Sequence, residues 1–302
     1  MLKLLFYLSL AITAVWSNPK DEATLTPVNE IFQPEGNFAP DKYWKVAAIQ
    51  WSSKQPAKVD WSKSKIDQNL QNNRLELEKR IRIAAHNGAK FIVLPEFAVT
   101  SYPDLPESGD NYRNRKDIEN FIETIPGPST NFFSKIAKEL RIWIQVGFAE
   151  VEVKTNLYYN AAVVINDQGQ IAATYRKQNL FGNESDFLEA GTSPSFFMSP
   201  IGKMGIIVCA DSYDFKVLSQ YKNAKVQGLG LSVAWTENNT AMNYYGRAAA
   251  FVKSYIVAAN QEYYPDSGVL YPSGSTQSHI RQTSDSIAYG FIPLQSKKSK
   301  SL

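Results

Sequence analysis

The chain has 302 residues, 44% of them apolar, so it can fill the core of one large domain or two small ones. Its formal net charge of +3 is too small to argue for nucleic acid or an anionic membrane as partner. A single cysteine forbids an internal disulfide, and two histidines without ligand spacing around them argue against a zinc site.

In chain order, the first segment reads as a secretory signal peptide. Lys3 supplies a short positive start, Leu4 to Trp16 is uncharged and largely apolar, and Val15 and Ser17 place small side chains where a signal peptidase reads. Cleavage after Ser17 is expected, with retention as an N-terminal anchor as the alternative. The run is short for a bilayer span, and nothing later is long enough, so no stable membrane insertion is expected. The expected location is therefore secreted or periplasmic. Residues 18–42, with Pro19, Pro27, Pro34 and Pro40 among polar residues, read as an extended leader lying on the surface or on a partner subunit. Residues 43–293 form the domain, and 294–302 read as a solvated basic tail.

Within the domain the pattern alternates. Strands are expected at 43–50 and 90–96, the second nearly all apolar and so covered on both faces. Between them, 65–87 carries a helical apolar period that stops at Gly88. "DIENFIETI" and "TNFFSKIAKEL" read as helices, the second entered through Pro128 and Ser129. "RIWIQVGFAEV", "YYNAAVVIND" and "QIAATYRK" read as strands, the last two joined by an "NDQG" turn. "KMGIIVCA", "VQGLGLSVA" and "YIVAANQ" are further strands, the third preceded by the helix "NYYGRAAAFVKSY", and the remainder reads as hairpins. This βαβ alternation with hairpins indicates one α/β domain with helices layered on a mixed sheet.

Three strand ends carry candidate chemistry. Glu96 follows Pro95 in "FIVLPEF", where strand pairing ends and a carboxylate enters the crevice beyond the sheet; the bland alternative is a solvated glutamate. Lys177 in "TYRKQNLF" is either a solvated charge or a site cation. Cys209 ends "GIIVCADSY" and is either a small core residue or a nucleophile. His86 sits at a helix end. His279 lies in the C-terminal hairpins, and only the fold could bring it to Cys209 as a thiol–imidazole dyad.

Taken together these segments resemble the nitrilase superfamily, the carbon–nitrogen hydrolases. "VLPEF", "YRKQNLF" and "MGIIVCAD" match its three motifs in order, with 81 residues from Glu96 to Lys177 and 32 more to Cys209. "RAAAFVKSYIVAANQ" resembles a fourth segment, and the likeness covers roughly residues 43–293. The resemblance implies a single-domain α-β-β-α sandwich, commonly assembled as a homo-oligomer of two or more copies. It also implies a Glu96–Lys177–Cys209 triad that hydrolyses a small-molecule amide, with a nitrile as the alternative, through an acyl-enzyme with no cofactor or metal. Glu184, seven residues past Lys177, would help position substrate or lysine. The backbone N–H of Ala210 would join Lys177 in holding the oxyanion. Tyr102, Tyr213 and Trp235 are candidates for the substrate pocket, and Asp211 to Tyr213 for substrate choice. "CAD" departs from the "C-W-E-N" of nitrilases and leans toward the amidase branch. Asn179 stands where the family commonly has histidine. Nitrile hydrolysis, acyl transfer with the same triad, and a catalytically silent binding protein on this fold are the alternatives.

Overall fold

The computed structural model describes residues 30–101, 112–235, 237, 240–263 and 265–295. The signal segment, the leader up to residue 29, Tyr102 and the tail from residue 296 lie outside the described residues. The first half of the domain holds β1 (Glu30–Phe32), β2 (Tyr43–Gln50), α1 (Lys63–His86), β3 (Phe91–Val93), α2 (Arg115–Ile118), α3 (Pro128–Leu140), β4 (Trp143–Glu152), β5 (Leu157–Ile165) and β6 (Ile171–Arg176). The second half holds β7 (Ser195–Ser199), β8 (Gly202–Val208), α4 (Phe215–Asn223), β9 (Gly228–Ser232), α5 (Ala241–Val252), β10 (Tyr255–Ala259), β11 (Ser267–Leu270), β12 (Thr276–Ile280) and β13 (Ser286–Pro293).

The strands form two sheets. The seven-stranded sheet runs β1-β13-β2-β3-β4-β5-β6 and the six-stranded sheet β12-β11-β10-β9-β8-β7. They pack face to face through β2 on β10, β13 on β11, β4 on β9 and β5 on β8. Strand β2 shows why both faces are covered. Trp44, Val46 and Ala48 join the core between the sheets, whereas the alternate residues Ala47 and Ile49 join the core under α1 and α3. On the other side α4 and α5 cover the six-stranded sheet. The result is an α-β-β-α sandwich.

Local signals act as the sequence dictates. Ser62 caps α1 by accepting from the Lys65 N–H, and the helix stops where Gly88 takes φ +86°. At the "NDQG" turn, Asn166 N–H donates to the Gln170 carbonyl and Gly169 N–H to the Asn166 carbonyl. Several expectations need correction. "DIENFIETI" yields only the one-turn α2, because Glu123 is drawn into a buried lock instead. Its carboxylate accepts from Arg74, from Ser129 N–H at 2.6 Å and from Ser129 Oγ at 2.8 Å, and so caps α3. The end of the extended leader joins a sheet, which the sequence reading did not assign. Residues 30–32 pair in parallel with β13 as an edge strand. Last, β13 does not stay with the C-terminal hairpin. It crosses to the other sheet and pairs with β2 along its whole length, Ser286 opposite Gln50 and Pro293 opposite Tyr43.

Candidate active site

Strands β2, β3 and β4 are parallel, and β6 runs with them because two antiparallel steps separate it from β4. Strands β8, β9 and β10 are likewise parallel. Glu96 and Lys177 therefore leave the same end of one sheet, and Cys209 leaves the end of the other. Glu96 is held by its backbone, its N–H donating to the Val233 carbonyl at 3.2 Å and its carbonyl accepting from Gln261 Nε2 at 2.8 Å. Just before it, the Leu94 carbonyl accepts from Ser232 Oγ at 2.8 Å. The turn also lies against Gly147 of β4, where a Cβ would stand 2.8 Å from the Pro95 carbonyl oxygen and 3.0 Å from Glu96 Cα. Only glycine allows that approach.

The ion cluster is closed. Lys177 and Glu96 are each 1% exposed. Lys177 Nζ lies 3.0 Å from Glu96 Oε1 and 2.7 Å from Glu184 Oε2. Asn160 of β5 bridges the same two acids, its Nδ2 donating to Glu96 Oε1 at 2.6 Å and to Glu184 Oε1 at 2.8 Å. Glu184 is fixed in turn by the Phe181 N–H at 2.7 Å. Sequence reasoning missed Asn160. The signal was there, a polar residue inside the otherwise apolar "YYNAAVVI".

Cys209 is buried and takes φ +42°, a left-handed conformation that a side-chain-bearing residue adopts only under constraint. It opens a single 3₁₀ turn, Cys209–Tyr213. The constraint is Asp211. Its carboxylate accepts from Val208 N–H at 2.9 Å, Asn179 N–H at 2.9 Å and Tyr175 OH at 2.8 Å. Asp211 is fully buried, so it braces the nucleophile turn and does not face substrate as the sequence reading expected. Asn179 adds a second brace, its Nδ2 donating to the Ala210 carbonyl at 2.9 Å. Ala210 lies in the first turn, where N–H groups lack a helical partner.

Electrostatics follow from burial. Desolvation pushes Glu96 above the usual carboxylate range, against the pull of Lys177. Burial and then Glu96 push the Cys209 thiol well up, against Lys177 and the Ala234 N–H that donates to its sulfur. Burial works against the Lys177 ammonium, but Glu184, Glu96 and Cys209 overcome it and hold it well above its ordinary value. The arrangement sets a thiol and a cation beside a carboxylate that burial makes more basic than usual. Glu96 Oε2 is buried with no hydrogen-bond partner, so that oxygen can accept a proton.

Tyr213 and Trp235 come to the same place. Tyr213 closes the turn that Cys209 opens, and burial and then Cys209 push its phenol up to about 12. Its ring is 5.9 Å from that of Trp235 and 5.6 Å from that of Tyr244, a third half-buried aromatic the sequence did not single out. Trp235 is pinned by Asn260 Oδ1 at 2.8 Å and by Thr240 Oγ1 at 2.9 Å. His279 is not the thiol's base. Its Nε2 is taken by Asp266 at 2.6 Å. Among the described residues, no group of three or more His, Cys, Asp and Glu is placed to hold a metal.

A family model described as carbon-nitrogen hydrolase matches residues 45–263. A nitrilase of Pyrococcus abyssi is 33% identical over 142 residues, covering 46% of this chain and 50% of the relative. Omega-amidase NIT2-B of Xenopus laevis is 30% identical over 158 residues, covering 49% and 53%. The chain spans about half the length of the curated relatives it matches. Among solved structures, Saccharomyces cerevisiae Nit3, titled a member of the nitrilase superfamily, matches with a TM-score of 0.68 at 20% identity over 83% of this chain and 90% of that one. An amidase from Nesterenkonia sp. matches with a TM-score of 0.66 at 15% identity, over 86% and 93%; these likenesses carry the fold. With three motifs in order, the sandwich and the family model in agreement, the chain belongs to the carbon-nitrogen hydrolase family.

Proposed function

We propose that the protein is an exported thiol amidohydrolase acting on a non-peptide amide of a small molecule. The observation that carries the reading is Lys177, buried between Glu96 and Glu184 beside a cysteine held in a left-handed turn. Glu96 Oε2 takes the Cys209 proton as the sulfur attacks the amide carbon. The oxyanion is met by the Lys177 ammonium and the Ala210 N–H. Collapse breaks the C–N bond, Glu96 returns the proton to the leaving amine, and a water activated by Glu96 releases the acid. Glu184 and Asn160 keep the lysine and the base in register.

Tyr213, Trp235 and Tyr244 form an aromatic wall for the substrate. Among the described residues, the loops after β6, β8, β9 and β10 (178–189, 210–214, 233–240 and 260–266) hold eight carboxylates and no Lys or Arg, and five of them, Asp186, Glu189, Asp214, Glu237 and Glu262, lie outside the buried pairings of Glu184, Asp211 and Asp266. That balance favours a neutral or cationic amide over one with a distal carboxylate. Export rests on the segment 1–17. Assembly as a homo-oligomer is supported by the outer face of α4 and α5, where Phe215 is 55% exposed and stacks edge-on with Phe251 at 4.9 Å.

The test is purified protein with a panel of small amides and nitriles, reading out ammonia. Amide turnover that disappears in Cys209→Ala is expected. Turnover that survives in Cys209→Ala, or wild-type protein that hydrolyses nitriles alone, would sink the reading. Alkylation of Cys209, the sole thiol, should slow in Glu96→Gln.

A further inference from the structure

Tyr245 is fully buried on α5, and its hydroxyl has no hydrogen-bond partner. An orphaned buried hydroxyl is costly and rare in a native protein, so its place needs a reason. Helix α5 packs on the 3₁₀ turn that begins at Cys209, and both residues belong to the same core. The Tyr245 ring lies 6.2 Å from that of Trp235 at 87°, and Trp235 follows Ala234, whose N–H meets the Cys209 sulfur. Burial, and then the neighbouring Cys209, Asp266 and Glu96, hold the phenol well above its ordinary value, so it remains a donor at every working pH. The mechanism above leaves it unused.

We propose that the Tyr245 hydroxyl is a held-ready hydrogen-bond donor to the Cys209 sulfur, engaged when the thiol becomes a thiolate. In that step the S–H bond breaks, its proton passes to Glu96 Oε2, and the sulfur accepts from Tyr245 O–H alongside the Ala234 N–H. No other bond is made or broken. The unsatisfied hydroxyl of the resting protein is then a donor aimed at charge that exists only during reaction. This rests on the reading of Cys209 and Glu96 as nucleophile and base.

The experiment is the rate of Cys209 alkylation by iodoacetamide against pH, with thermal melting, in wild type, Glu96→Gln and Tyr245→Phe. In Tyr245→Phe the neutral-pH rate should fall about tenfold or more, since hydrogen bonds to charged groups carry that weight. The midpoint of its pH profile should rise by about one pH unit. Melting should be unchanged or higher, because the variant removes an unpaired hydroxyl. An unmoved alkylation profile overturns the proposal, whether melting stays put or drops; a drop alone would show that the hydroxyl serves Asp266 as a structural donor. If Tyr245→Phe does not fold, 2,3,5-trifluorotyrosine at position 245 keeps the shape and sharpens the donor. Faster alkylation is then expected, and an unchanged rate refutes the role. If Glu96→Gln alkylates like wild type, the triad reading itself fails, whatever Tyr245 does.

Discussion

Replacing Lys177 with methionine is the most informative perturbation, because it removes one charge and leaves nearly the same volume. Glu96 and Glu184 then face each other across Asn160, buried and without their cation. Breaking a buried ion pair by deleting one partner costs about 3–5 kcal/mol. At roughly 2 °C per kcal/mol for a domain this large, melting should drop by about 6–10 °C at neutral pH. The loss should depend on pH in a set direction. Without the cation the Glu96 carboxyl, already raised by burial, rises further. A folded state with a raised carboxyl holds a proton that the unfolded chain releases, so stability is present in acid and lost as pH climbs through that value. The gap between variant and wild type should therefore be small in the acid range and full at neutrality. Turnover should also lose an oxyanion donor, about 10²–10³ in kcat. Melting curves and ammonia release across pH measure both. An equal melting loss at acid and neutral pH, or a kcat within about tenfold of wild type, would refute the reasoning.

Gly147→Ala puts a methyl group 2.8 Å from one backbone atom and 3.0 Å from another, so the Glu96 turn must move. An overpacking cost of about 1–3 kcal/mol and a roughly hundredfold fall in kcat are expected from melting and steady-state rates. Asp211→Asn turns an acceptor of three hydrogen bonds into an amide that must point a donor at one of them. A loss of about 1–3 kcal/mol should appear in denaturant titration. Burial raises the Asp211 carboxyl from 3.8 to about 6, so its contribution to wild-type stability should decline as pH rises through 6, and the asparagine variant should lack that decline. In a matched series, a neutral amide should exceed its analogue with a distal carboxylate by about tenfold in kcat/KM, as a like-charge mismatch of roughly 1.4 kcal/mol would give; reversal of that order would contradict the charge reading of the loops.

The candidate site residues were legible because each stands at a strand end in a recognisable local frame. "VLPE", "YRK" and "IIVC" mark places where apolar pairing stops and polar chemistry begins. Most strands were legible for the same reason, since alternation and turn residues act locally. The packing of two sheets was not, because strand periodicity says which faces are buried but not what buries them. Strand β13 looks like the end of a hairpin, and only its long-range register with β2 assigns it to the other sheet. "DIENFIETI" carries helical spacing, but Arg74 and Ser129, far away in the chain or beyond the turn, claim Glu123. Asp211 misled for a related reason. A carboxylate next to a nucleophile reads as substrate-facing until Tyr175 and Asn179 are seen to enclose it.

Glu96 and Lys177 leave the seven-stranded sheet, and Cys209 leaves the six-stranded one. Neither half carries a complete site. On the proposed reading, base and cation reach the thiol only across the contact between the two sheets, so the site is as intact as that contact.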